Sequence, residues 1–218
     1  LLNNLIIHIL VKTIMMISIS NNSPYKELNI AGGWHLAYYL PANRGVGTIA
    51  RKILEFKNNC PTAIEEWSNW AGSELNKLDI KFDYIVRALG SAETIPLKGK
   101  PCSLLGRNLA KILNANYAAM AISKLRETKP LHKLSNRSQR EEELKGIYKA
   151  HPENFNFNNK NILIIDDVTT ASITITEIVR AIKEAWPNAN LYFFCLGKTS
   201  YDDTLNDHIT KKYFTNLI

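Results

Sequence analysis

The 218-residue sequence has only three cysteines, Cys60, Cys102 and Cys195, and no two of them stand in a Cys-x-x-Cys spacing. So few scattered thiols exclude a disulfide framework and a thiolate zinc site, and fit a reducing, cytoplasmic setting. Glycine (10) and proline (8) are sparse, which removes collagen-like and low-complexity classes. Long apolar runs are also missing. Residues 5–11 and 14–17 are apolar, but His8 and Lys12 interrupt them, and a spanning helix needs about 20 largely apolar residues. No basic region precedes these runs and no clean small-residue cleavage site follows, so neither a membrane partner nor a secretory signal is expected. The chain opens with Leu while Met15 and Met16 lie inside. Residues 1–24 are therefore read as an uncertain N-terminal extension, either β-rich or upstream of the natural start, with the second preferred. Residues 25–218 are read as a single domain.

What is present suits one soluble α/β domain with a substantial core, since 45% of residues are hydrophobic and 22% charged. Lys and Arg number 27 against 20 acidic residues, a net charge of +7. That excess favours anionic partners, phosphates or nucleic acid, without choosing between them.

Periodicity places the elements. Val46, Ile49, Ala50, Ile53 and Leu54 recur at helical spacing, as do Ile64, Trp67, Ala71, Leu75 and Leu78, with Pro61 between the two sets. Residues 82–86 predict a strand running into the loop 87–93. Leu105, Leu109, Ile112 and Leu113 predict a helix, and residues 117–123 a strand. Residues 126–142, polar and basic with one proline, read as a mobile loop. The short apolar run 162–165 then has the character of a buried parallel strand. It ends in Asp166 and Asp167, passes through Val168, Thr169, Thr170, Ala171 and Ser172, and enters a helix whose Ile175, Ile178, Val179 and Ile182 share a face. Thr174 and Glu177 fit a capping box at its start. Pro187 ends the helix, and residues 191–196 predict the next strand. Strand, helix and strand imply a parallel sheet covered by helices, whose ligands bind at the carboxyl ends of the strands. The acid pair and the loop 87–93 both fall at such ends.

A loop of small hydroxyl residues opening a helix offers unpaired backbone N–H groups backed by the helix dipole, a site for a phosphate dianion. Thr169, Thr170, Ser172 and Thr174 add hydroxyl donors. Two carboxylates just upstream would repel that phosphate on contact, but a few ångströms away they can accept from sugar hydroxyls or attract a divalent cation. Phosphate on the loop and a diol on the acids describe a ribose 5-phosphate. An ordinary βα turn accounts for any one of these residues; the whole constellation asks for more. A Walker B reading of the same strand fails, because the only Gly-Lys-Thr, at 197–199, has Tyr192 where the first glycine of a P-loop belongs. A phospho-accepting receiver domain fails too, because only 51 residues follow Asp167.

Residues 162–174, ILIIDDVTTASIT, resemble the thirteen-residue phosphoribosyl pyrophosphate (PRPP) motif of type I phosphoribosyltransferases. Weaker likeness extends over about residues 38–199 toward the ComF-like branch, through FDYIVRALGSAE, SLLGRNLAKIL and RETKPLHKLSNRSQREEELKGIY. The resemblance implies a parallel-sheet fold with helices on both faces and a small variable hood, a Mg²⁺ cofactor and a homodimer. It also implies transfer of ribose 5-phosphate from PRPP to a base or amine. Asp166 and Asp167 would hold the ribose hydroxyls directly or through Mg²⁺, and Thr170, Ala171, Ser172, Ile173 and Thr174 would wrap the 5-phosphate. Ala88, Leu89, Gly90 and Ser91 would form the pyrophosphate loop with Arg87 at its base. The segment with Arg126, Lys129, Lys133, Arg137 and Arg140 would close over the site, Arg140 joining the catalytic set. Two departures stand out. Ser172 occupies a position where the family usually has Gly, and Thr170 one where many members carry an acid. A non-catalytic relative, sensing PRPP or a ribose 5-phosphate nucleotide or associated with nucleic acid, is the alternative. Trp34, Tyr38 and Tyr39 are candidates to stack on a base, with core packing the commoner use of such rings.

Overall fold

The computed structural model describes residues 16–19, 25–40 and 47–202. The apolar run 5–11, Val46 and the chain after 202 lie outside the described residues. In chain order the elements are β1 (Ile17–Ser18), β2 (Gly32–Tyr39), α1 (Thr48–Lys57), α2 (Pro61–Leu75), β3 (Tyr84–Arg87), α3 (Pro101–Ile112), β4 (Asn116–Tyr117) and β5 (Ile122–Lys124). They continue with α4 (Arg137–Leu144), β6 (Tyr148–Ala150), β7 (Asn161–Thr169), α5 (Ile173–Ala185) and β8 (Asn190–Thr199). Short 3₁₀ turns cover Tyr25–Leu28, Asn76–Leu78, Ala119–Ala121 and Leu131–Lys133.

Six of these strands form one sheet in the order β1-β2-β8-β7-β3-β4, parallel except for β1. The strand period of two sorts the side chains of the central pair. Ile162 and Ile164 of β7, with Phe193 and Cys195 of β8, enter the core shared with Ile175, Ile178 and Ile182 of α5. Leu163, Ile165, Phe194 and Leu196 enter the opposite core, shared with α1, α2 and α3. Burial on both faces explains why these strands read as unbroken apolar runs. Both α2 and α3 begin at a proline, which lacks only an N–H that the first helical turn does not use.

Part of the uncertain leader belongs to this architecture. Ile17 and Ser18 pair with His35 and Trp34, while Met16 and Ile19 are buried. The strand expected at 117–123 is broken in two. The chain leaves the main sheet after Ala118 donates to the Ile85 carbonyl, turns through Ala119–Ala121, and pairs β5 antiparallel with β6 in a separate two-stranded sheet. The polar segment 126–142 also differs from expectation, since α4 lies within it. Asn136 caps that helix by accepting from the Gln139 N–H at 2.9 Å, and the Gln139 side chain accepts from the Ser135 N–H at 3.1 Å. The capping box at Thr174 and Glu177 does not form. α5 starts two residues earlier, with Ser172 as its N-cap and no side-chain cap, and Glu177 instead accepts from the Gly146 N–H and Arg180 Nε.

β3 and β7 are neighbours, but β3 leads on to β4 at one side and β7 to β8 at the other. Such a reversal opens a crevice at the carboxyl ends of the two strands.

Candidate functional site

The crevice holds three adjoining cavities of about 610, 380 and 260 Å³ that all touch Lys57 and Asp166. The largest is lined by residues 169–174 together with Tyr39, Arg140, Thr199 and Tyr201. The middle one is lined by Ala88, Leu89, Ser91, Lys124, Lys129 and Asp167, and the smallest by Arg87, Gly90, Lys100, Cys102 and Asp167. Residues 87–91, Lys129, Arg140, Asp166, Asp167 and residues 169–174 each border at least one of these cavities, whereas Trp34, Tyr38, Arg126, Lys133 and Arg137 border none of the three.

Local bonding shows what each residue has left to offer. β7 runs through Asp166 and Asp167 to Thr169, so the acid pair projects from the end of a strand anchored on both sides. Neither aspartate is sealed in the interior; both are partly exposed at the cleft. Asp166 Oδ1 accepts from the Asp167 N–H at 2.8 Å, and Asp167 Oδ1 from the Val168 N–H at 2.5 Å. The Asp167 Oδ2 lies 3.4 Å from Lys57 Nζ. Burial, reinforced by the neighbouring Asp167 charge, pushes the Asp166 carboxyl up to about 8. Burial works against the Lys57 ammonium, yet the charges of Asp167 and Asp166 outweigh it and hold its pKa above the usual lysine value.

The turn between β7 and α5 is uncapped. Ser172 is the N-cap residue with φ 59°, a left-handed conformation, and no side chain caps the first turn of α5. The Ser172 hydroxyl donates to the Ala171 carbonyl at 2.6 Å. The first-turn N–H groups of a thirteen-residue helix thus face the largest cavity with the dipole behind them. Of the hydroxyls, Thr169 is bonded to Tyr25 at 2.8 Å and Thr170 to Thr199 at 2.8 Å. Ile173 packs into the core, so it offers the cleft its backbone. The left-handed φ supplies the physical reason why a glycine would suit position 172.

The loop after β3 is held from inside. Arg87 and Glu93, 1% and 3% exposed, pair at 2.5 and 2.9 Å. Glu93 also accepts from the N–H groups of Gly90 and Leu97, and Leu89 donates to the Tyr148 hydroxyl at 3.1 Å. From the other side Lys124 donates to the carbonyls of Gly90 and Ser91 at 2.8 and 3.0 Å and to Thr128 Oγ1 at 3.1 Å. Burial pushes that ammonium down to about 8. Arg87 is thus spent on shaping the loop, and the N–H groups of Leu89 and Gly90 are already engaged. Positive charge on this side of the cleft comes from Lys57, Lys100 and Lys129.

The cations of the 126–142 segment divide. Arg126 pairs with Glu143 and Arg137 with Glu141, both at the surface. Arg140 reaches the largest cavity while its Nε and Nη2 donate to the Leu134 carbonyl. Lys57 and Lys124 escape a reading of the sequence because their partners lie far along the chain. Gly197 helps to bring Lys57 in: a Cβ there would meet Ile53 Cδ1 of α1 at 2.8 Å.

Among the described residues no three His, Cys, Asp or Glu side chains gather as a metal site. No helix among them is long and apolar enough to cross a membrane. No protein-family model matches the sequence, and no curated protein matches it. In fold the chain is similar to an adenine phosphoribosyltransferase from Trypanosoma brucei, solved with AMP, pyrophosphate and ribose-5-phosphate. That likeness has 12% identity and a TM-score of 0.48, over 88% of this chain and 90% of that one. It is also similar to an adenine phosphoribosyltransferase from Leishmania tarentolae, at 10% identity and TM-score 0.42, over 81% and 94% of the two chains. A hypoxanthine phosphoribosyltransferase from Staphylococcus aureus gives 15% identity and TM-score 0.39, over 64% and 75%.

Proposed function

We propose that this chain binds PRPP with Mg²⁺ and transfers its ribose 5-phosphate to a base or amine, releasing pyrophosphate. The observation that carries the reading is the uncapped left-handed turn opening α5 directly beside the Asp166–Asp167 pair in one cleft. Water or an anion can satisfy an N-terminal turn without a side-chain cap; what sets this one apart is the acid pair beside it, which suits a sugar phosphate. The ribose diol then reaches the acid pair. The oxygens of the two side chains can accept from its two hydroxyls.

The pyrophosphate end would occupy the two smaller cavities, where Lys57, Lys100 and Lys129 face it. Displacement at ribose C1 develops positive charge on the sugar and negative charge on the leaving group. The protein's part is to orient the sugar, neutralise the leaving group and exclude water. Two carboxylates fit Mg²⁺ only as part of a ligand complex, since that ion completes its shell with phosphate oxygens and water. When bound it would help to neutralise the negative charge on the leaving group. The likeness of segment 126–148 to the ComF-like branch supports a closing role for α4, from which Arg140 faces the phosphate lobe.

Titration calorimetry with PRPP and Mg²⁺ tests the reading. Binding that Asp166→Asn and Asp167→Asn each weaken supports it. Absence of heat at millimolar ligand, with both variants like wild type, removes it. Pyrophosphate release with one member of a panel of purines, pyrimidines and amines supports transfer; binding without release across the panel leaves the PRPP-sensing relative.

A further inference from the structure

We propose that Lys57 is a built-in counter-cation of the Asp166–Asp167 pair, keeping a divalent metal off the carboxylates until an anionic ligand arrives with it. The inference rests on the binding reading above and concerns the state of the cleft before ligand enters. Lys57 is the last residue of α1, where the helix carbonyls favour a cation. Its Nζ lies 3.4 Å from Asp167 Oδ2 and 5.8 Å from the centre of the Tyr39 ring. Among the described residues no other Lys or Arg nitrogen comes within ion-pair distance of either carboxylate. The same lysine lines all three cavities.

An isolated surface pair would be a bland explanation, and such pairs contribute little. The setting here differs. Two adjacent carboxyl groups share one cleft, and among the described residues Lys57 alone pairs with them, through Asp167; removing it leaves the pair without that counter-charge. Like charges that close recruit a proton or a metal ion. A lysine ammonium on a flexible four-carbon stem can also leave. Once a pyrophosphate group enters the smaller cavities, Lys57 has a second anion within the space it already borders. The acid pair is then free for the metal that the anion carries. Metal and anion would enter together rather than in sequence.

The test uses Mn²⁺ alone as the probe, its free ion followed by electron paramagnetic resonance with no phosphate present. Lys57→Met and Lys57→Gln should each bind Mn²⁺ at least about tenfold more tightly than wild type, the order expected for deleting a charge a few ångströms away. Lys57→Arg should remain like wild type, and Asp167→Asn added to Lys57→Met should erase the gain. Circular dichroism confirms that each variant is folded. Affinities of Lys57→Met and Lys57→Gln within twofold of wild type, an equal gain in Lys57→Arg, or a gain that survives Asp167→Asn would each overturn the proposal. Titration of the same proteins with PRPP separates the two ideas. PRPP binding with no Mn²⁺ effect removes the counter-cation alone; a Mn²⁺ effect without PRPP binding removes the transferase reading alone.

Discussion

Arg87 and Glu93 face each other across the base of the loop that follows β3, joined by two nitrogen–oxygen contacts of 2.5 and 2.9 Å and screened almost completely from water. Glu93 adds the N–H groups of Gly90 and Leu97, so one carboxylate fixes the loop at three points. Burial opposes both charges, yet their pairing holds the Glu93 carboxyl below and the Arg87 guanidinium above their usual values. Breaking a buried pair by neutralising one member typically costs about 3–5 kcal/mol. Glu93→Gln should therefore lower unfolding free energy by about 3 kcal/mol or more in urea titration. A loss below about 1 kcal/mol would show that the loop does not depend on the pair.

Asp166 should show the opposite trade. Its folded pKa, near 8, stands above the unfolded value of 3.8. Between those values the folded state binds more protons than the unfolded one, so stability falls as pH rises through the window. Asp166→Asn removes the ionisable group and should raise the melting temperature most at pH 9, by the equivalent of about 1–3 kcal/mol, and least near pH 4. The same change should weaken PRPP binding. A variant less stable than wild type at pH 9 would contradict the burial argument.

The central strands, four of the helices and the acid-bearing turn were legible because each follows a local pattern. Ile162 to Ile165 form one apolar run, and Ile175, Ile178, Val179 and Ile182 lie on one helical face. Less legible was what depends on distant partners. Lys57 meets Asp167 across most of the domain, and Arg87 looks like a free cation until Glu93 is seen to neutralise it. The helix α4 was hidden by a composition of charges and amides, although Asn136 and Gln139 carry its capping signal. Ser172 departs from glycine in the sequence, but only its φ of 59° shows that the backbone there favours glycine.

A second pH response should come from β2, two strands away from β7 in the same sheet. His35, on β2, is fully buried; its Nδ1 lies 2.9 Å from the Ala37 carbonyl oxygen, and its Nε2 has no hydrogen-bond partner among the described residues. Burial, with a smaller push from Lys198, lowers its pKa to about 4. Below about pH 6.5 the unfolded chain takes up a proton that the folded protein refuses, so stability falls as pH drops toward 4. The loss approaches about 3 kcal/mol at the lower end. His35→Leu should flatten this part of the stability profile in urea melts between pH 4 and 7, whatever it does to stability at pH 7. An unchanged slope would assign the acid response to other groups.

Ser172 joins the stability of the turn to its proposed ligand. A non-glycine residue held at φ 59° carries a cost of about 1–2 kcal/mol. Glycine avoids that cost but enters folding with a more disordered unfolded chain, which returns about 0.4–1 kcal/mol. Ser172→Gly also removes the hydroxyl bond to the Ala171 carbonyl, a short local contact at 2.6 Å. These effects nearly cancel, so the melting temperature should move little. Ligand affinity should respond more, because a turn without the Cβ lets the first-turn N–H groups of α5 close around the phosphate. Calorimetry should find ribose 5-phosphate bound severalfold more tightly by Ser172→Gly than by wild type, with Ser172→Ala no tighter than wild type. Equal affinities for the glycine and alanine variants would mean that backbone freedom at this position does not limit phosphate binding.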